Sequence, residues 1–179
     1  GVRRLLLERQ AASLGYPLEP VPIPKQTTNV AYEMAMRAVL HRYRSAGVSA
    51  VAFGDLFLAD VRQYREKQLG QVGMRGIFPL WNRDTRVLAH LFIELGFKAV
   101  ITCVDGHVLD GAFVGREFDR AFLDDLPPTI DPCGENGEFH SFVYAGPLFR
   151  ERIAFHRGDV VLRDDRFYYC DLIPDPPIP

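Results

Sequence analysis

Tyr32, Ala35, Met36, Val39, Leu40 and Tyr43 recur at helical spacing, which predicts an amphipathic helix opened by Thr28 or Asn29. Residues 2–14 read as an earlier helix closed by Gly15, and residues 58–69 as a charged one. Val87, Leu88, Leu91, Phe92 and Leu95 mark another helix, which Gly96 ends. Between these lie short apolar runs of strand character: Val48–Phe53, Gly76–Leu80 and Phe97–Val104. Val21–Pro24 is at most a short strand. The run Phe97–Val104 is almost continuously apolar, as a strand covered on both faces would be.

This alternation predicts an α/β fold with a mainly parallel, Rossmann-like sheet built from residues 1–105. Val48–Phe53 and Phe97–Val104 are expected in that one sheet. After residue 105 the pattern changes to a smaller, β-containing lobe, 106–179. It opens with a short helix over Phe118–Leu126, cut off by Pro127-Pro128. Strands follow at Ser141–Phe149, Arg152–Phe155, Val160–Leu162 and Phe167–Leu172, the last two a hairpin turning at Asp164-Asp165. Ligands of a parallel sheet gather at the carboxyl ends of its strands, here Gly54-Asp55, Leu80-Trp81-Asn82 and Asp105-Gly106.

Composition narrows the class. The chain has 179 residues, 47% hydrophobic and 25% charged, enough to bury about 70% of its unfolded surface without disulfides or metal. Its 21 basic and 23 acidic residues give a net charge of −2, against a nucleic-acid binder. No apolar run approaches the ~20 residues of a membrane span, and no signal-peptide pattern is seen. Cys103, Cys133 and Cys170 are odd in number and widely spaced, as in a reduced, cytoplasmic protein. Gly1-Val2-Arg3-Arg4 passes directly into a helix, so a preceding segment is expected.

The common phosphate-loop, dinucleotide, zinc-protease and serine-hydrolase motifs are absent. The strongest local signal is Asp131-Pro132-Cys133-Gly134-Glu135-Asn136-Gly137-Glu138-Phe139-His140. Two carboxylates, Glu135 and Glu138, each follow a glycine in a stretch too polar for a core. They could orient an amine, hold a metal or accept a proton; equally, the stretch could be a solvated turn. Cys133 and His140 lack zinc spacing, so no metal centre is expected. As a nucleophile, Cys133 would need a base and a lowered pKa. Asp55, at the end of a strand, either binds Mg²⁺, a ribose or an amine, or caps the next helix. Trp81 either stacks on a base or fills a core gap.

Several segments in order resemble one family: Ala52-Phe53-Gly54-Asp55, Tyr64-Arg65-Glu66, Phe78-Pro79-Leu80-Trp81 with Arg83-Asp84-Thr85, and Gly115-Arg116-Glu117-Phe118-Asp119. Asp131 to His140 and Phe142-Val143-Tyr144-Ala145-Gly146-Pro147 complete the series. It resembles the diphthine–ammonia ligase family, within the adenine nucleotide alpha-hydrolase-like superfamily. That family opens with a Ser-Gly-Gly-Lys-Asp-Ser phosphate loop (PP-loop) that is missing here, so the expected preceding segment would carry it. Without the loop, the chain alone is expected to bind ATP weakly.

The resemblance implies ATP-dependent activation of a carboxylate and transfer of ammonia to it, with ATP and Mg²⁺ as cofactors. It places Gly54, Trp81 and Asn82 along the nucleotide. Asp55, Glu135 and Glu138 become catalytic groups, and Gly134, Asn136, Gly137 and His140 surround the acceptor. Glu135 and Glu138 are expected to face the same cleft as Gly54-Asp55. In an archaeal or eukaryotic source the protein acceptor would be elongation factor 2; in a bacterial source, another carboxylate. A nucleotide-binding protein without catalysis is the reading of a different class, and self-association is left open.

Overall fold

The computed structural model describes residues 2–24 and 26–176. The elements run α1 (Arg4–Leu14), α2 (Asn29–Ser45), β1 (Ala50–Ala52), α3 (Ala59–Gly70), β2 (Arg75–Ile77), α4 (Thr85–Glu94) and β3 (Lys98–Asp105). A 3₁₀ turn (Gly111–Phe113), α5 (Arg120–Asp125), β4 (Phe139–Ala145), β5 (Phe155–Arg163) and β6 (Phe167–Pro174) follow. The architecture is mixed α/β, with a two-stranded parallel sheet and a four-stranded antiparallel one. Two compact units result. Glu19–Arg83 form one, and residues up to Leu18 together with those from Asp84 onward form the other.

In the Glu19–Arg83 unit, β1 and β2 pair in parallel with Val51 opposite Gly76, and α3 connects them. Leu69, Val72 and Met74 form its small core, with Leu40, Val51 and Phe53 packed on it. The α2 cap is as expected: Thr28 Oγ1 accepts a hydrogen bond from Ala31 N at 3.3 Å. The α2 stripe is only half-buried, because α3 and two short strands are all that this unit offers it. Val21–Pro24 forms no strand. Pro20, Pro22 and Pro24 leave that segment too few backbone donors for a ladder.

The larger unit holds the antiparallel sheet, in the order β4-β3-β6-β5. Here the expectation of one parallel sheet fails: β3 lies between β4 and β6, antiparallel to both. Its residues from Ala99 to Asp105 are buried, as the apolar run implied. Burial on both faces marks a central strand of either kind of sheet, so it does not encode the direction of the neighbours. Ile101, Val104, Phe118, Phe122, Phe139 and Phe142 fill the core, and Leu6 of α1 is fully buried in it. Gly15 and Gly96 end α1 and α4 with φ of 75° and 85°. Asp164 and Asp165 both take positive φ at the β5–β6 turn. Of the run expected over Arg152–Phe155 only Phe155 lies in a strand, as the first residue of β5, which also holds Val160–Leu162 after a bulge between Arg157 and Val160. Among the described residues, no helix is long and apolar enough to cross a membrane.

Candidate functional site

The sequence candidates fall into two groups, one in each unit. In the Glu19–Arg83 unit, Gly54-Asp55 follows β1 closely. Asp55 does not stand free. Arg65 of α3 donates from Nη2 to Oδ1 at 3.1 Å, and its Nε lies 2.6 Å from Oδ2. That second contact is an ion pair without hydrogen-bond alignment, so neither atom has a directional partner there. The Arg65 guanidinium also sits 4.5 Å over the Phe53 ring. Trp81 is similarly engaged: Arg62 lies 4.7 Å from its ring and 4.6 Å from that of Phe78, and pairs with Glu66 at 2.9 Å. Trp81, Arg62, Asp60 and Glu66 line a hollow of about 520 Å³. Asn82 adopts φ 57°, and its N–H donates to Leu56 O at 2.7 Å.

Asp131 to His140 lies in the larger unit, and its glycines explain its shape. Asp131 Oδ2 accepts from the N–H groups of Cys133 (3.2 Å) and Glu135 (2.9 Å), while Gly134 and Gly137 turn the chain at φ 70° and 87°. A Cβ at Gly134 would lie 2.8 Å from Phe139 O, so only glycine fits. The result is a folded-back loop that delivers Glu138 to the position just before β4. Glu138 is 5% exposed. Its Oε1 accepts from Asp131 N (3.0 Å) and from Asn136 Nδ2 (2.9 Å). Its Oε2 is buried and has no hydrogen-bond partner among the described residues.

Glu138 and Asn136 border a cavity of about 510 Å³ that Asp105, Val108, Thr129, Ile130 and Arg166 also line. Glu138 is tied to the end of β3 by a bond from Asp105 N to Glu138 O at 2.9 Å. Asp105 is buried as well, and Arg166 reaches it from the β5–β6 turn with Nε 2.9 Å from Oδ1. The hydrogen bonds from Arg166, outweighing burial, lower the Asp105 pKa to about 2. Asp105 and Glu138 against Arg166 leave the cavity one negative charge in excess. It therefore suits a small cation that donates hydrogen bonds.

Glu135 and His140 do not line this cavity. Glu135 is half-buried, and His140 is exposed, its carbonyl accepting from Thr102 Oγ1 at 3.2 Å. The surroundings of Cys133 disfavour the thiolate that a nucleophile would need. Its thiol donates to Thr85 O at 3.3 Å, and burial, helped by Asp131 and Glu135, pushes its pKa up to about 12. Among the described residues, no three His, Cys, Asp or Glu side chains come together to hold a metal ion. With Asp55 neutralised by Arg65, the present side chains do not fit a protein-built Mg²⁺ cage. Sequence reading missed Arg166 and the role of Asp105 as its partner. The one signal for them was Asp105-Gly106 at a strand end.

Residues 84–171, which include this whole cavity, match the sequence model of the family described as Diphthamide synthase C-terminal domain. The chain is 24% identical over 141 residues to diphthine--ammonia ligase of Schizosaccharomyces pombe (strain 972 / ATCC 24843), covering 76% of this chain and 23% of that protein. It is 26% identical over 137 residues to diphthine--ammonia ligase of Homo sapiens, covering 73% and 49%. These matches support a relationship to the diphthine--ammonia ligase family. The chain spans about a quarter and about half of the length of these two relatives.

Proposed function

We propose that this chain is the acceptor-side part of an ATP-dependent ligase that turns a carboxylate into an amide with ammonia. One observation carries the reading: a buried glutamate whose Oε2 lacks a donor borders a polar cavity with one negative charge in excess. Ammonium supplies the missing N–H and the missing positive charge. The names of the two relatives support the same chemistry.

A carboxylate does not condense with ammonia unaided, because the leaving group would be oxide or hydroxide. Attack of a carboxylate oxygen on the α-phosphorus of ATP expels pyrophosphate and gives an acyl-adenylate. Ammonia then forms the C–N bond, the C–O bond to AMP breaks, and one proton is released. In this reading Glu138 Oε2 holds ammonium and takes the proton that turns it into ammonia, the second proton passing to solvent as the amide forms, while Asn136 and Asp131 N fix the carboxylate through Oε1. Asp105 and Arg166 shape the far wall. Gly134 and Gly137 hold the loop, and Glu135 and His140 flank the acceptor.

On the nucleotide side, β1, α3 and β2 would be the visible portion of a Rossmann-like domain, with Gly54, Trp81 and Asn82 along ATP. Asp55 acts there through its pair with Arg65, whose guanidinium would meet phosphate oxygens. Mg²⁺ would arrive with ATP, bound by its phosphates rather than by a cage of this chain's carboxylates. The acceptor is a protein-borne carboxylate, elongation factor 2 where the source makes diphthamide.

The test is Glu138→Gln in the natural protein, with pyrophosphate and amide measured separately. Pyrophosphate release should persist while amide formation falls ~10²-fold or more, the scale for losing a general base. Amide formation at the wild-type rate would overturn the assignment.

A further inference from the structure

The geometry points to Arg166 as the group that holds the phosphate of the acyl-adenylate, the leaving group of the amide-forming step; this rests on the ligase reading above. Arg166 lines the same cavity as Glu138. Its guanidinium is fixed on two sides. Nε and Nη2 donate to the two carboxylate oxygens of buried Asp105, with Nε 2.9 Å from Oδ1, and the Phe167 ring lies 4.8 Å from the guanidinium carbon. The main chain is held as well, Arg166 O accepting from Gly106 N at 2.7 Å. An arginine that gives Nε and Nη2 to one carboxylate keeps a second pair of parallel N–H groups, on Nη1 and Nη2. No described residue accepts from Nη1, and the side chain is 45% exposed. A charged fork already locked in place loses little further side-chain entropy when an oxyanion arrives.

Chemistry selects the oxyanion. Ammonia released at Glu138 must meet the acyl carbon at about 3–3.5 Å. The phosphate is joined to that carbon through a single oxygen, so it is carried into the cavity with it. The acceptor carboxylate is not the ligand at this stage, because its charge is lost when the anhydride forms. As the C–N bond forms and the C–O bond breaks, the electron pair of the C–O bond stays on the phosphate oxygen, which leaves with one more negative charge. Donors already in position stabilise that growing charge without reorganising. The excess negative charge of the cavity does not oppose this. Ammonium at Glu138 cancels it, with Asp105 and Glu138 then balanced by Arg166 and the bound cation. The anion therefore binds best after the cation.

Calorimetry on the natural protein with AMP and with adenosine, each in saturating ammonium, tests this, because the ratio of the two affinities isolates the phosphate. Arg166→Lys keeps a positive charge beside Asp105 but loses the second pair of N–H groups. It should weaken AMP ~10-fold or more, the scale for hydrogen bonds to a charged group, and leave adenosine unchanged. A merely structural role would weaken both alike or neither, and either result overturns the proposal. Glu138→Gln reports separately on the ammonium reading. In the wild type AMP should bind more tightly with ammonium than without, and in Glu138→Gln that gain should vanish. A gain that survives there counts against Glu138 and leaves the Arg166 result to stand or fall by its own ratio. Crystals of the unmutated protein with AMP and ammonium need no variant. A phosphate oxygen should stand within hydrogen-bond distance of Arg166 Nη1, and a phosphate bound away from Arg166 overturns the assignment.

Discussion

Arg166, at the end of the β5–β6 turn, closes a two-point hydrogen-bonded pair with Asp105 at the last position of β3, Nε standing 2.9 Å from Oδ1. The main chains are joined as well, Gly106 N donating to Arg166 O at 2.7 Å. The pair therefore fixes the hairpin to the end of the central strand, beside the Glu138 cavity. Asp105 is buried while the Arg166 side chain is 45% exposed. Arg166→Ala would leave a buried carboxylate with the His107 N–H as its remaining donor. The urea midpoint of unfolding should fall, though by less than for a fully enclosed pair, because solvent already screens Arg166. Arg166→Lys should recover only part of the loss, lacking the two-pronged geometry. A midpoint unchanged in Arg166→Ala would show that the pair contributes nothing.

The same pair sets a pH dependence. Asp105 has its folded pKa lowered to about 2, mainly by hydrogen bonds from Arg166, against ~3.9 in an unfolded chain. Its contribution is present in full above ~3.9 and disappears as the pH falls through about 2. Wild type should lose stability over that window, and Arg166→Ala should lose less, having less to lose. Unfolding free energies at intervals from about pH 5 down to about pH 2 test this; parallel curves for the two proteins would contradict it.

Gly134 and Gly137 separate steric from conformational cost. Both have positive φ, so alanine at either should cost ~1 kcal/mol for the left-handed backbone. At Gly137 a Cβ meets nothing within 4 Å, whereas at Gly134 it would lie 2.8 Å from the Phe139 carbonyl oxygen. Gly134→Ala should therefore be the more destabilising, by at least about 1 kcal/mol. Thermal melts of the two variants provide the comparison, and equal melting temperatures would show that the loop relaxes freely.

Cys133 should resist alkylation. Its pKa of about 12 leaves almost no thiolate near neutral pH, and its thiol is committed to Thr85 O. Iodoacetamide should label it ~10²-fold more slowly in the folded chain than in urea, followed by peptide mass spectrometry. Comparable rates would mean the loop opens far more often than its hydrogen bonds suggest.

The parts of this molecule that the sequence makes legible are those set by neighbours along the chain. Gly15 and Gly96 end helices because a left-handed residue is needed there, and Asp164-Asp165 turns the hairpin for a similar reason. The direction of β3 was not legible, since its apolar run records burial on two faces and nothing about its partners. Neither was the Asp105–Arg166 pair, whose members are 61 positions apart. Glu138 stands out for its glycine-flanked spacing, yet a polar loop gives no sign that one carboxylate oxygen ends up buried without a donor. Asp55 and Trp81 were likewise visible as candidates, while the arginines of α3 that cover them read only as part of a charged helix.

The proposed chemistry requires ammonium to reach Glu138 Oε2, and a crystal soaked in thallium(I), an ammonium-sized cation with a strong anomalous signal, tests this most directly. An anomalous peak should stand in the cavity within bonding distance of Glu138 Oε2, weakened by competing ammonium and absent from Glu138→Gln crystals. A cavity without thallium at saturating concentration, or a peak that survives in Glu138→Gln, would contradict the assignment.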